Sequence, residues 1–391
     1  MHRFINPIER LGSRLLEVEK PARYTGGEFG AYKKNGILRT AIVFPDLYEL
    51  GMSNQALRII YNGLNRMEGI SCDRAFAPAP DFEKLLREED LPLYGLDTGI
   101  ALSDTDLLLF TLGYELGITG ILSVLDNSRI ALRAAERNTD DPIVIMGGPC
   151  VSNPLPYSPF IDAFWIGEAE AGFFDLAWEL LNLKKAGAAR SGLLDRILAH
   201  PHVWAPGKTG VRRAIFTGFG SRENTGLHTE NLPAVFPVSS IRTVQHHGAV
   251  EIMRGCPNGC RFCHAGFWYR PMRQKQTDLV LEEAEAFVKL GGYREISLSS
   301  LSSGDYCHLN PLVEVLNSRY RGQHISFQLP SLRVSGFSLS ILSKISEVRK
   351  SGLTFAVETP DKANQLALNK QVALDEVVSI IKEAKKTAGG E

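Results

Sequence analysis

Three cysteines lie within eight positions of the stretch MRGCPNGCRFCHAGFWYRP, residues 253–271. Cys256, Cys260 and Cys263 follow the spacing C-x3-C-x2-C and account for half of the six cysteines in the chain. In a reducing compartment, thiols this close together are metal ligands or redox groups more often than disulfides. The stretch therefore predicts a metal or redox centre.

Four kinds of chemistry fit these residues. The string CRFCH has the C-x-x-C-H pattern of covalent haem attachment, although this use leaves Cys256 without a role. Zinc would need further ligands such as His264 or the Cys-His pair at 307–308, and zinc sites usually draw their ligands as two pairs. A redox-active pair of Cys260 and Cys263 would be crowded by Cys256. An iron–sulfur cubane held by three thiolates would leave one iron open to a substrate or cofactor.

The first half of the chain alternates apolar runs with amphipathic stretches. The expected strands are RTAIVF, DLLLFTL, PIVIMGG and DAFWI, and the expected helices are SNQALRIIYNGLNRM, ITGILSVLDNSRIALRAAE and FFDLAWELLNL. Continuous apolar strands separated by helices are typical of a parallel sheet covered on both faces. This half of the sequence therefore predicts a doubly wound α/β domain.

The second half repeats the strand–helix alternation after an irregular stretch rich in Pro, Gly and His. Strands AVEIM, EISLSS, ISFQL and LTFAVE make four βα units, and the cysteines follow the first of these strands. The expected helices cover about residues 277–290, PLVEVLNSRY, SLSILSKISEV and a long helical region over 363–386. We predict an N-terminal extension over residues 1–35, an α/β domain over 36–200, a connector over 201–247 and a partial β/α barrel over 248–391.

The composition limits the classes of function. With 391 residues, 44% of them hydrophobic, the chain is long enough for two or three buried cores. Lys and Arg number 43 against 44 Asp and Glu, so no overall charge attracts nucleic acid or an anionic membrane. The first thirty residues lack the apolar core of a secretion signal, and no stretch reaches the roughly 18–20 apolar residues of a membrane span. These features predict a soluble cytoplasmic protein without a membrane partner.

The cysteine motif, with Phe262 before its last cysteine and a strand before its first, resembles that of the radical S-adenosylmethionine (SAM) enzymes. The resemblance implies a [4Fe-4S] cluster on Cys256, Cys260 and Cys263 whose open iron chelates the amino and carboxylate groups of SAM. An electron from the cluster would split SAM into methionine and a 5′-deoxyadenosyl radical, which abstracts hydrogen from a substrate. Such a cluster is strongly reducing, near the low end of the range of about −700 to +450 mV. It needs an electron donor such as flavodoxin or ferredoxin.

The same resemblance implies residues that hold SAM. The loop after EISLSS would bind the SAM amino group, and Glu358 in FAVETPD resembles the carboxylate that contacts the ribose, since ligands of such sheets bind at the carboxyl ends of strands. Family members usually have six barrel strands where four are visible here, so we expect a barrel that is truncated at its C-terminal side. The implied SAM contacts are Phe262, Ser300, Ser302, Gly304, Asp305 and Glu358.

The first domain resembles the cobalamin-binding domain that precedes the radical SAM core in one group of these enzymes. The motifs are FPDLYELGMSN, LLLFTLGYELG, VIMGGPCVSNP and DAFWIGEAE, whose glycines allow close backbone approach to a ligand. Tyr48 stands where some cobalamin proteins have a cobalt-binding His, and because a neutral phenol is a poor ligand, bound cobalamin should lack a histidine ligand. The candidate cobalamin contacts are Asp46, Tyr48, Gly51, Thr111, Gly147, Gly148, Gly167 and Glu168.

Taken together, PARYTGGE, FPDLYELGMSN, GGPCVSNP, CPNGCRFCHAGFWYRP and SLSSGDY resemble a group of radical SAM proteins of unassigned function. The prediction is a radical SAM enzyme, with a cobalamin-dependent methyltransferase as the favoured type and an RNA, a peptide or a small molecule as substrate. One alternative is another radical modification without cobalamin, such as sulfur insertion or rearrangement. The other is a metal-binding module without catalytic activity.

Overall fold

The computed structural model describes residues 2–221, 236–333 and 356–387, the last five of these as backbone only. The expected helix SLSILSKISEV and the first half of the expected strand LTFAVE lie outside the described residues. Among the described helices, none has the length and apolar character that crossing a membrane requires.

The described residues form two units. The first comprises residues 2–216 and 236–246, and the second comprises residues 217–221, 247–333 and 356–387. The expected extension over the first 35 residues lies within the first unit. The finer division of the chain into extension, domain, connector and barrel stays a prediction.

The first unit is built on a six-stranded sheet. Its order is β2-β1-β3-β4-β5-β6, and every pair is parallel except β5–β6. The order of the first five strands is that of the doubly wound flavodoxin-like sheet, in which ligands bind at the switch point between β1 and β3. The strands are β1 Leu38–Phe44, β2 Ile70–Phe76, β3 Leu107–Thr111, β4 Ile143–Gly147, β5 Ala163–Trp165 and β6 Val203–Trp204.

Helices cover this sheet and complete its core. The helix over Gln55–Arg66 begins where the Asn54 side chain accepts a hydrogen bond from the Leu57 amide, a favourable N-terminal cap. Gly63 in this helix lies so close to Phe174 that a Cβ there would stand 2.4 Å from the ring. The helices are α1 Pro7–Leu11, α2 Tyr48–Gly51, α3 Gln55–Arg66, α4 Pro80–Glu88, α5 Ile118–Asn127, α6 Phe173–Lys185 and α7 Arg190–Ala199.

Strand β2, with the sequence ISCDRAF, is buried along its whole length and is absent from the apolar pattern of the sequence. The guanidinium of Arg74, itself 0% exposed, lies 2.9 Å from Oε2 of Glu28 and 2.6 Å from Oδ1 of Asp97. Burial by itself would raise the pKa of Glu28, but the charge of Arg74 holds it below its usual range. We refer to Arg74, Glu28 and Asp97 as the Arg74 cluster.

The second unit carries a three-stranded parallel sheet of order β11-β10-β7 and a small antiparallel pair β8–β9. The strands are β7 Gly248–Glu251, β8 Met253–Arg254, β9 Arg273–Gln274, β10 Glu295–Ser299 and β11 Ser326–Gln328. The helices are α8 His264–Trp268, α9 Thr277–Lys289, α10 Leu309–Tyr320, α11 Lys362–Leu368 and α12 Leu374–Thr387. Helices α9 and α10 connect successive parallel strands, as βα units require.

The predicted fold class is confirmed: a doubly wound parallel sheet is followed by βα units of a partial barrel. The expected truncation of the barrel stays a prediction. The long helix expected from residue 363 to 386 is two helices, because Asn369 takes the left-handed conformation (φ 52°) that ends α11.

Candidate functional site

The three cysteines lie on one loop after β8, residues 255–263, which we call the cysteine loop. Gly255 turns the chain out of the strand with φ 84°, and a Cβ there would stand 2.6 Å from the carbonyl oxygen of Tyr269. All three thiols belong to half-buried residues. Cys263 caps α8, where its Sγ accepts a hydrogen bond from the Gly266 amide at 3.3 Å.

Asn258 joins the cysteine loop to the loop that follows β10. Its Nδ2 lies 2.7 Å from Oδ2 of Asp305 and 3.4 Å from Oγ of Ser302. The same nitrogen lies 3.5 Å from Sγ of Cys256. Two residues of the predicted SAM site, Ser302 and Asp305, are therefore beside the first of the predicted cluster ligands.

The loop after β10 is braced by its own hydroxyl groups. Ser303, fully buried, donates to the carbonyl oxygen of Pro330 at 2.6 Å and lies 3.0 Å from Oγ of Ser300. Ser302 donates to Oδ2 of Asp305 at 2.7 Å. A Cβ on Gly304 would meet no described atom within 4 Å, so this turn of the loop is open. The sequence pattern does not separate the bracing serines from those that face the cysteines.

Glu358 is a non-glycine residue in the left-handed region, with φ 65°. Its Oε1 accepts a hydrogen bond from Nζ of Lys370 at 2.7 Å, and the Lys370 side chain is 13% exposed. The same Nζ lies 5.9 Å from the centre of the Phe262 ring, which is half exposed. Lys370, which no sequence motif identifies, thus connects the predicted ribose-binding carboxylate with the aromatic residue of the cysteine motif.

The end of α11 anchors the cysteine loop. Nη1 of Arg261 donates to the carbonyl oxygens of Leu366 at 3.0 Å and Ala367 at 2.7 Å. Nδ2 of Asn369 donates to the carbonyl oxygen of Gly259 at 2.9 Å. Sequence reasoning missed this anchorage because Arg261 and Asn369 are distant in the chain and belong to no recognisable motif.

The donor set fits an iron–sulfur cluster. Backbone and side-chain N–H groups point at two of the three sulfurs, as suits thiolates that carry the charge of a cluster. Within the described ranges, no three His, Cys, Asp or Glu side chains gather around a single point as the ligands of one metal ion would. A cubane does not need such a gathering, because each thiolate binds a different iron.

In the first unit, the predicted cobalamin contacts divide into two sets. Asp46 and Thr111 lie at the carboxyl ends of β1 and β3, where the switch point of the sheet falls. The Asp46 carboxylate accepts a hydrogen bond from the Tyr114 hydroxyl at 2.8 Å. At Gly147, which ends β4, a Cβ would fit without a clash, since the nearest described atom, the carbonyl oxygen of Trp165, would be 4.0 Å away.

The second set is already engaged inside the unit. Tyr48, 1% exposed, donates its hydroxyl to Oε1 of Glu28 at 2.9 Å and accepts from Oγ of Ser239 at 3.2 Å. Burial, followed by the charge of Glu28, raises the pKa of Tyr48 to about 12. A Cβ on Gly51 would stand 2.3 Å from the Phe76 ring. The roles of Tyr48 and Gly51 at a cobalamin site stay predictions.

Gly148, Gly167 and Glu168 also have internal roles. Gly148 (φ 99°) and Gly167 (φ 120°) take backbone conformations that favour glycine, and a Cβ on Gly167 would stand 2.2 Å from the carbonyl oxygen of Ala214. The Glu168 carboxylate accepts a hydrogen bond from the Phe216 amide at 2.9 Å. The segment GEAE, residues 167–170, therefore holds residues 214–216 against the end of β5.

Two family profiles match the chain. The profile described as "Radical SAM proteins, N-terminal" matches residues 56–206, and the profile described as "Radical SAM superfamily" matches residues 250–389. The chain belongs to the radical SAM superfamily. The second match includes the cysteine loop, and together the two matches cover most of the sequence.

This radical SAM protein has a relative in Methanocaldococcus jannaschii, the uncharacterized protein MJ0966. The two are 24% identical over 351 residues, which make up 90% of this chain and 67% of the relative. Among solved structures, the radical SAM methyltransferase TsrM from Kitasatospora setae, with tryptophan substrate and a SAM analogue bound, matches with a TM-score of 0.57 and 12% identity. That match covers 89% of this chain and 66% of TsrM.

A second structure of TsrM, with cobalamin and a [4Fe-4S] cluster bound, gives the same TM-score at 13% identity. It covers 89% of this chain and 65% of TsrM. The cobalamin-dependent SAM radical enzyme OxsB gives a TM-score of 0.55 at 12% identity, over 90% of this chain and 48% of OxsB. The radical SAM protein thus spans just under two thirds of TsrM and about half of OxsB, and at these identities the likeness is one of fold.

Membership in the superfamily confirms the expectation of SAM and a [4Fe-4S] cluster as cofactors and supports an enzymatic role. The individual ligands on this radical SAM chain stay predictions. So do the nature of the substrate, the electron donor and the place of the protein in the cell.

Proposed function

We propose that this chain is an enzyme that binds a [4Fe-4S] cluster on its three loop cysteines and cleaves SAM reductively. The observation that carries the proposal is the junction at Asn258, which unites the cysteine loop with Ser302 and Asp305 through hydrogen bonds. When bound, the cluster supplies one electron to SAM, and the resulting break of a carbon–sulfur bond gives methionine and a 5′-deoxyadenosyl radical.

The residues around the junction bind and orient SAM in this proposal. The Asp305 carboxylate accepts a hydrogen bond from the SAM amino group, since a hydrogen bond to a charged acceptor is stronger than one between neutral groups. Glu358 accepts hydrogen bonds from the ribose hydroxyls, and Lys370 holds its carboxylate in place. The half-exposed ring of Phe262 provides apolar surface next to the last cysteine.

We further propose that the first unit binds cobalamin and that the enzyme is a methyltransferase. The switch point between β1 and β3, and the absence of any described atom within 4.0 Å of a Cβ at Gly147 other than the Trp165 carbonyl oxygen, support a ligand at this edge of the sheet. TsrM, which shares the fold, is described as a radical SAM methyltransferase and has been solved with cobalamin bound. The acceptor would be an unactivated carbon of an RNA, a peptide or a small molecule, and a flavodoxin or ferredoxin would supply electrons.

The first experiment tests the cluster. The protein is reconstituted anaerobically with iron and sulfide, reduced with dithionite and assayed for 5′-deoxyadenosine in the presence of SAM. We expect the variant Cys256→Ala to lose the product at least a hundredfold, because the loop then keeps two of its three ligands.

The matched control is Cys307→Ala, which removes an exposed thiol outside the cysteine loop and should leave product formation unchanged. Product that survives Cys256→Ala would overturn the assignment of the ligands. Zinc without labile sulfide in the purified protein would overturn the enzymatic proposal.

The second experiment tests cobalamin. Hydroxocobalamin is titrated into the protein and its binding is followed by absorbance. Gly147→Val should weaken binding about tenfold without unfolding the protein, because the new side chain occupies the proposed ligand edge while its Cβ meets no described atom closer than 4.0 Å. Tyr48→Phe should leave the absorbance of bound cobalamin unchanged, since its buried hydroxyl is bonded within the unit. If hydroxocobalamin does not bind at high micromolar concentration, the cobalamin proposal is wrong, and a radical reaction without cobalamin remains.

A further inference from the structure

Asn258 contacts both the first thiol of the cysteine loop and the carboxylate of the neighbouring loop. Its Nδ2 lies 3.5 Å from Sγ of Cys256 and 2.7 Å from Oδ2 of Asp305. A side-chain amide nitrogen carries two hydrogens, so it can donate to both acceptors at the same time. No motif of the sequence assigns a role to this residue.

The surroundings decide which end of the amide faces the sulfur. An ionised carboxylate only accepts hydrogen bonds, so Asp305 selects the NH2 end of Asn258 over its carbonyl oxygen. Ser302 donates to the same Oδ2 of Asp305 at 2.7 Å and fixes the carboxylate in turn. The chain of contacts therefore points an N–H group at the thiol of Cys256.

We propose that Asn258 is a positioning residue that donates a hydrogen bond to the cluster thiolate of Cys256 and thereby raises the reduction potential of the cluster. The inference rests on the proposed function, since it requires a cluster on that thiolate. Reduction adds negative charge to the cluster and its sulfurs, so a hydrogen-bond donor stabilises the reduced form more than the oxidised form. The side chain of Asn258 thus eases the entry of the electron that SAM cleavage consumes.

The test is a redox titration of the reconstituted protein, with the reduced cluster measured by electron paramagnetic resonance. Asn258→Leu has nearly the same shape and no donor. At a fixed applied potential we expect its ratio of reduced to oxidised cluster to be about tenfold lower than that of the wild type, which corresponds to about 59 mV for one electron.

The matched control is Asn369→Gly, which removes another side-chain amide that donates to this loop and keeps the left-handed backbone. Because Asn369 donates to a carbonyl oxygen and not to sulfur, its variant should keep the wild-type ratio within about twofold. A purely structural role of Asn258 would lower the amount of cluster without changing the ratio in the loaded fraction, and that result would overturn the inference.

A second measurement covers the case in which Asn258→Leu takes up no cluster. Wild-type protein labelled with 15N in its asparagine side chains is reconstituted and reduced, and pulsed electron paramagnetic resonance then records nitrogen coupling. We expect coupling of one asparagine side-chain nitrogen to the cluster spin, and its absence would overturn the inference. If the wild-type protein takes up no iron and sulfide, the proposed function is overturned together with the inference. If Asn258→Leu cleaves SAM and keeps the wild-type ratio of reduced to oxidised cluster, the inference alone is overturned.

Discussion

The Arg74 cluster of the first unit and the cysteine loop of the second are both concentrations of polar groups, but they are completed in different ways. In the Arg74 cluster, a fully buried guanidinium is neutralised by two carboxylates of the protein itself. In the cysteine loop, half-buried thiols face N–H donors at 3.3 and 3.5 Å. A group that the protein completes by itself stabilises the fold, while a group surrounded by donors and left half-buried is suited to a ligand.

The largest effect that tests this comparison is a loss of folding stability when the central residue of the Arg74 cluster is replaced. Arg74→Leu leaves Glu28 and Asp97 buried without their counter-charge, and removing one partner of a buried ion pair costs about 3–5 kcal/mol. Urea unfolding followed by tryptophan fluorescence measures this loss.

The tryptophan fluorescence reports mainly on unfolding of the first unit, because this unit holds three of the four tryptophans: Trp165, Trp178 and Trp204. The control is Arg3→Leu, whose ion pair with Asp104 involves a half-exposed arginine and should matter much less. Equal losses in the two variants would contradict the view that the Arg74 cluster stabilises the fold.

A smaller effect, on SAM binding, is expected at the candidate SAM site. Lys370→Gln removes the charge that holds Glu358, and we expect SAM to bind about tenfold more weakly, equivalent to about 1.4 kcal/mol. Isothermal titration with SAM, or with a SAM analogue that resists cleavage, gives the dissociation constant. Lys362→Gln, which changes an exposed lysine at the start of α11, should bind SAM as the wild type does. Unchanged binding by Lys370→Gln would remove Glu358 from the candidate site.

The smallest expected effect is a pH dependence in the first unit. Burial by itself would raise the pKa of Glu49, but hydrogen bonds from Arg23 and Lys20 lower it to about 2. Because this pKa is depressed on folding, the stabilisation is present above the unfolded value near 4.5 and is lost as the pH falls towards 2. Glu49→Gln should therefore approach the stability of the wild type below about pH 4 in urea unfolding curves. A difference that stays constant down to pH 2 would argue against the ion pair.

Much of the first unit could be predicted because its central strands are buried on both faces and read as apolar runs. Strand β2 escaped prediction because it contains Asp73 and Arg74, and the partners that neutralise Arg74 are at residues 28 and 97. Helix α5 ends nine residues before the expected helix does, since Arg129 adopts φ 60° and the Ile130 amide bonds back to Leu125.

The candidate site, too, could be predicted only in part. The cysteines are identified by their spacing, by Phe262 and by the preceding strand, and Asp305 follows from the family resemblance because it lies close behind a strand. Asn258 and Lys370 could not be found in this way, since their roles depend on which distant segments pack against them. Local sequence determines which residues can bind a ligand, and tertiary contacts determine which residues orient them.

The hydrogen bond from Asn369 to Gly259 joins residues that are 110 positions apart in sequence. A ribosome adds about 5–20 residues per second, so roughly 5–20 s separate the synthesis of the cysteines from that of the residue that secures their loop. During this interval the nascent chain carries its thiols without the end of α11 to hold them. Under the proposed function, a cluster would enter the finished loop only after residue 369 has been synthesised.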